Sequence, residues 1–145
     1  MKPFMANERQ KKDCRDLLSK WQCLLMLHSW EIAPYYAEQE DSLNADGGMT
    51  RADVCADPQY HKASITFYPH FFESNGFERE TAVVHELVHC LVEPMQDHIK
   101  ELQSGYLITG RNRRETMERC VTHIANAFYA LDQDRQVFKK AMRKR

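Results

Sequence analysis

The sequence predicts an α+β protein: an N-terminal helix, a short sheet of three strands, a helix built on an H-E-x-x-H pattern, and a C-terminal helix. Three observations carry that prediction. Apolar stripes at helical spacing bracket the chain, short alternating runs fill its middle, and T-A-V-V-H-E-L-V-H-C-L-V-E-P at 81–94 sets His85, Glu86 and His89 inside an otherwise apolar run. With 145 residues the chain is long enough for one core and short for two. A single domain over 1–145 is therefore expected, with a basic tail from about residue 132.

From Asn7 to about His28, Leu17, Leu18, Trp21, Leu24, Leu25 and Met26 form an apolar stripe over a charged N-terminal half, a pattern that packs on a sheet. Trp30, Ile32 and Pro34 then begin an alternating run, and A-E-Q-E-D-S-L-N-A-D-G-G reads as a turn or exposed loop. Ala52, Val54 and Ala56 alternate next. After a turn around Asp57 and Pro58, Ala63, Ile65 and Phe67 face one way while Ser64, Thr66 and Tyr68 face the other.

The aromatic stretch P-H-F-F-E-S links this sheet to Asn75, which with Glu78 three residues on forms a capping-box signature. A helix is predicted from about Gly76 to Val92. Pro94 disfavours helical geometry at Glu93 and opens a separate helix from Met95 to Gln103, closed by Ser104 and Gly105. The basic segment S-G-Y-L-I-T-G-R-N-R-R reads as a loop. Asn112 with Glu115 then caps a last helix whose buried stripe is Met117, Cys120, Val121, Ile124, Ala125, Phe128 and Leu131.

Hydrophobic residues at 43 %, charged residues at 28 % and a net charge of −1 are ordinary for a soluble protein and create no demand for nucleic acid or membrane. The N-terminal stretch has charges but no apolar core, and no segment approaches membrane-spanning length, so a cytoplasmic location is expected. The five cysteines are odd in number, scattered and never in a C-x-x-C pair, which points to reduced thiols rather than disulfides or a cysteine zinc site. Cys90 follows His89 directly, but one helical step turns it about 100° away.

Residues four apart on a helix lie nearly above one another, so His85 and His89 project from one face with Glu86 beside them. This is the geometry in which two histidines hold a metal and the glutamate acts as general base toward a water that the metal activates. A pattern this short also arises by chance, usually on a loop or an exposed face. Here Ala82, Val83, Val84, Leu87, Val88, Leu91 and Val92 make the helix apolar nearly all round. Titratable groups buried in such a helix need partners, and a metal supplies them.

Catalytic zinc takes three protein ligands and keeps one position open. Val92 and Met95 stand where the extended three-histidine signature needs glycine and histidine, so the third ligand lies elsewhere. Downstream donors are Asp97, His98, Glu101, Glu115, Glu118, His123, Asp132 and Asp134. The first three follow too soon after the expected turn, and the last two fall near the end of the next helix. Glu118, in that helix's second turn, stands at the edge of its packing side. Glu115 is accounted for as the partner of Asn112, and His123 is a chemically sound rival, so both stay open beside Glu118.

A helix bearing H-E-L-V-H at 85–89, preceded by a short sheet and followed by a helix with E-R-C-V-T-H-I-A-N-A-F from Glu118, resembles the gluzincins, the zincins whose third ligand is a glutamate. More narrowly it is similar to the minimal single-domain metallopeptidases of phages and bacteria, over about Trp30 to Leu131. The resemblance implies a minimal zincin-like fold, zinc held by His85, His89 and Glu118, Glu86 as general base, and a peptide or protein substrate. It also makes the strand of Ile65 and Phe67 a candidate edge for pairing with an extended peptide. The chain departs from larger gluzincins at Thr122, where an aspartate orienting a metal histidine is expected.

Zinc-dependent peptide hydrolysis is thus the expected function, with Tyr106, Arg111 and His123 the nearest candidates for oxyanion stabilisation. The alternative is a non-catalytic or latent metal-binding domain. In that case Arg111, Arg113, Arg114, Arg119 and the basic C-terminus touch an acidic protein or nucleic acid, or the tail after Leu131 folds over the cleft, although a solvated surface balanced by nearby acids is the plainer reading of those charges. Glu86 argues against a purely structural site, which has no use for a base beside its metal.

Overall fold

In the computed structural model the chain runs α1 (Glu8–Leu24), β1 (Glu31–Tyr36), β2 (Ala52–Asp57), β3 (Lys62–Phe67), α2 (Pro69–Glu73), α3 (Gly76–Leu102) and α4 (Gly110–Met142), the α+β order expected. Residues 3–39, 49–102 and 110–142 are described, with the side chains of 94–102, 110–116, 119, 123, 134 and 137–142 outside that description. The polar loop at 40–48 and the helix end at Ser104 and Gly105 therefore lie outside the described residues.

Asn7 starts α1 with a reciprocal cap: its Oδ1 accepts from the Gln10 backbone amide and Gln10 Oε1 accepts from the Asn7 backbone amide, each at 2.9 Å. The buried stripe is Cys14, Leu18, Trp21 and Leu25, spaced for one helix face. Met26, expected in that stripe, instead takes a left-handed φ of 57° just past the helix and is exposed. Burial pushes the Cys14 and Cys90 thiols up to about 12, as befits inert core thiols, while Cys23, Cys55 and Cys120 are exposed and free.

The sheet order is β1-β3-β2, with β3 parallel to β1 and antiparallel to β2. The strand of Ile65 and Phe67 is thus central, not an edge. Its burial explains why: Ala63, Ile65 and Phe67 fill the core under the sheet, and a strand buried this deeply is paired on both sides. The edges are β1 and β2. A bond from the Tyr68 amide to the Arg51 carbonyl, 3.0 Å, extends the β2–β3 ladder and fixes its alternation. By that alternation Asp53, Cys55 and Asp57 bond to β3, and the backbone groups of Ala52, Val54 and Ala56 turn to the outer edge of β2. Among the described residues no strand pairs with that edge.

The aromatic link folds as α2, opened by Pro69 in its first turn, with Phe71 packed on Phe67 at 4.6 Å between ring centroids. The cap predicted for α3 forms: Asn75 Oδ1 accepts from the Glu78 amide at 3.0 Å and Glu78 Oε2 from the Asn75 amide at 3.1 Å. Arg51 ties this helix start to β2, donating to Ser74 Oγ at 2.9 Å and Glu78 Oε1 at 3.0 Å.

Pro94 does not end the motif helix. α3 continues through it to Leu102, so no separate helix starts at Met95. Proline removes one backbone bond, that to the Cys90 carbonyl, and a helix already anchored by buried Val83, Val84, Leu87 and Val88 tolerates that loss. α4 likewise starts at Gly110, ahead of the predicted cap, which places Asn112 inside the first turn and turns Arg111–Arg114 from loop into helix.

The buried face of α4 also differs from expectation. Val121 and Ala125 are buried and Met117 and Phe128 partly so, whereas Cys120, Ile124 and Leu131 are exposed, Leu131 at 64 %. Asp132 is buried instead. On a helical wheel the seam of 117, 121, 125, 128 and 132 is centred about 80° from that of 120, 124 and 131. α4 is rotated away from the face that would bury most apolar surface, and toward Glu118.

Candidate metal centre

The two histidines stand one turn apart on α3, their Nε2 atoms 3.2 Å from each other. Glu118 reaches them from α4, with Oε2 3.4 Å from His85 Nε2 and Oε1 3.6 Å from His89 Nε2. Among the described residues these three side chains form a group that can hold a metal ion. The histidines are half-buried, and the 48 % exposure of the Glu118 side chain leaves one side of the cluster open to solvent.

The spacing tests the fit. A tetrahedral ion bonded at about 2.0–2.1 Å sets neighbouring donor atoms about 3.3–3.4 Å apart. The histidine nitrogens, 3.2 Å apart, lie near that edge length, and the two Glu118 oxygens approach them separately, Oε2 at 3.4 Å from His85 and Oε1 at 3.6 Å from His89, both longer than the roughly 2.7–2.9 Å of a charge-assisted hydrogen bond. Two imidazoles and a carboxylate are also a donor set that suits zinc. The two imidazoles facing it, His85 first and His89 second, hold the Glu118 carboxyl well below the ordinary carboxylate range, so the third donor is anionic.

Glu86 lies beside this triad, buried. Burial first, then the charges of Glu118 and Asp53, push its carboxyl well above the ordinary range. A carboxyl with such a high proton affinity in an apolar wall is suited to taking and returning protons.

The residues read from the sequence as one site, His85, Glu86, His89 and Glu118, are thus brought together. The side chains of the rivals Glu115 and His123 fall outside the described residues, as do those of Asp97, His98, Glu101, Asp134 and Arg111, and all of Tyr106. Asp132, set aside as too far along its helix, is buried against Lys20 of α1 rather than near the metal group. Thr122 is exposed, and among the described residues no hydrogen bond reaches the second ring nitrogen of either histidine.

Sequence reasoning missed Asp53 and Tyr68. Asp53, on β2, acts on Glu86 and accepts a hydrogen bond from Tyr68 Oη at 3.1 Å. Its one signal was an aspartate in the middle of a strand, a residue type depleted there. It missed as well the ion-pair cluster that joins three helices: Lys20 Nζ bonds to Glu80 of α3 and, at 2.9 Å, to Asp132 of α4.

Comparison with known protein families, with curated proteins and with solved structures finds no match for this chain.

Proposed function

We propose that the protein is a zinc-dependent peptide hydrolase. The observation that carries this reading is the convergence of His85 Nε2, His89 Nε2 and the Glu118 carboxylate in one group able to hold a metal ion, with a buried glutamate next to the first histidine. A zinc ion held there supplies Lewis acidity, acidifying water and polarising a scissile carbonyl. Glu86 takes the proton from the attacking water on its carboxylate and returns it to the leaving amine.

An extended peptide fits the outer edge of β2, where the backbone groups of Ala52, Val54 and Ala56 face away from β3. That strand borders the site, since its Asp53 acts on Glu86. The alternative, a closed structural site, needs a fourth protein donor, and among the described residues the group has three. No described helix is long and apolar enough to cross a membrane.

The test is metal analysis of the purified chain together with Glu86→Gln, whose amide cannot accept a proton. We expect one zinc per chain in both proteins and peptide cleavage only in the wild type. Turnover in Glu86→Gln equal to that of the wild type removes Glu86 from the mechanism.

A further inference from the structure

α4 presents its third-ligand side to α3 at the expense of its apolar side: Ile124 and Leu131 are exposed, while Glu118 meets the histidines and Asp132 is buried. Burying those two apolar side chains would stabilise the helix in a different rotation. Something holds it where it is. Apolar packing does so in part: Val121 and Ala125, which are buried completely, are small, Met117 and Phe128 are partly buried, and the Tyr129 ring stacks on Trp21 at 6.3 Å and meets Phe77 edge-on at 5.1 Å.

Among the described side chains, α4 makes polar contacts with the rest of the chain at two places. One is Glu118 with His85 and His89; the other, fourteen residues or about 21 Å along the helix, is Asp132 with Lys20. Lys20 also bonds to Glu80 Oε1, which accepts from Trp21 Nε1 at 2.9 Å, and its Nζ lies 4.7 Å from the centre of the Trp21 ring. Glu80 stands on α3 five residues before His85, so the ammonium group ties the ligand-bearing helix α4 to the ligand-bearing helix α3. Asp132 and Glu118 project within about 40° of each other around α4, both away from Ile124 and Leu131.

We infer that Lys20 is the positioning residue for Glu118: by clamping Asp132 of α4 beside Glu80 of α3, it sets the rotation at which Glu118 meets His85 and His89. This rests on the metal-site reading above. Without the ammonium group, two carboxylates face each other across the helices, and α4 turns toward burying Ile124 and Leu131, carrying Glu118 away from the histidines.

Zinc affinity of the full chain, measured by competition with a fluorescent chelator, tests the clamp. Lys20→Met should weaken binding by about tenfold or more, in the range of outer-sphere changes. Lys20→Arg should stay near wild type. In a Glu118→Ala background Lys20→Met should cost nothing further, and adding Ile124→Gln and Leu131→Gln to Lys20→Met should restore affinity by removing the pull toward the other rotation. Wild-type affinity in Lys20→Met, or an equal loss with and without Glu118, overturns the inference. Should Lys20→Met fail to fold, Asp132→Asn releases α4 without leaving two facing carboxylates and is read the same way. If the wild type takes up no zinc, the metal-site reading falls. Amide exchange at 117–121 in the metal-free protein then decides the clamp: faster exchange in Asp132→Asn sustains it and unchanged exchange ends it.

Discussion

α3 and α4 bring side chains to one group that can hold a metal ion but are held in different ways. α3 is wedged in the core by Val83, Val84, Leu87 and Val88, each buried completely, and its histidines go wherever that packing sends them. α4 buries two small residues fully, exposes Ile124 and Leu131, and is held by the Tyr129 ring against Trp21 and Phe77 together with two charged contacts, Glu118 and Asp132. Apolar packing alone fixes the first helix, whereas polar anchors share the second with one aromatic contact. A site built on both is rigid on one side and adjustable on the other.

Breaking the ligands should produce the largest effects and expose that asymmetry. His85→Ala or His89→Ala leaves two donors, and zinc should not survive desalting of either variant. Glu118→Ala should weaken zinc by at least about 100-fold, beyond the usual range for an outer-sphere partner, yet leave both histidines placed by α3. Elemental analysis after desalting checks this. Retention of one zinc by His85→Ala would move the metal elsewhere.

The same contrast should appear in stability. Leu87→Ala opens a cavity beneath the sheet and should cost about 2–5 kcal/mol in urea unfolding. Leu131→Ala, on the exposed side of α4, should stay within about 0.5 kcal/mol despite removing the same atoms. A loss at Leu131 comparable to that at Leu87 would mean that the exposed side of α4 is covered in solution.

The contrast also explains what could be read from the sequence. The α+β order, the cap at Asn75 and the inward faces of the strands were legible because local chemistry and apolar burial agreed there. His85 and His89 were legible because a helix apolar nearly all round leaves little freedom for its histidines. The central place of β3 was not, since chain order does not say which strand is paired twice. The face of α4 was misread because seven apolar residues suggested one rotation while Glu118 and Asp132 impose another. Lys20 gave no signal at all: a lysine near the end of an amphipathic helix is ordinary until its two carboxylates, 60 and 112 residues further on, are brought to it by the fold.

A small effect also separates the two helices by pH. Burial alone would raise the Asp132 carboxyl, but its bonds from Lys20 and Gln136 outweigh that and hold it below the ordinary value. Its stabilisation is therefore complete above about pH 4, the unfolded aspartate range, and fades as pH falls through the lower folded value. Burial alone would likewise lower the Lys20 ammonium, but Glu80 and Asp132 outweigh it and hold it above the ordinary value. That contribution is complete below about pH 10.4 and fades as pH rises through the higher folded value. The clamp thus operates between those limits, and as a partly exposed ion pair it should contribute about 1 kcal/mol or less. Urea midpoints of the wild type and of a Lys20→Met, Asp132→Asn double variant should differ most near neutral pH and converge toward both extremes. The Leu87→Ala difference has no ionisable group of its own behind it and should stay flat across the same range. If the clamp difference were equally flat, packing rather than charge would hold α4 in its rotation, and the two helices would be anchored alike.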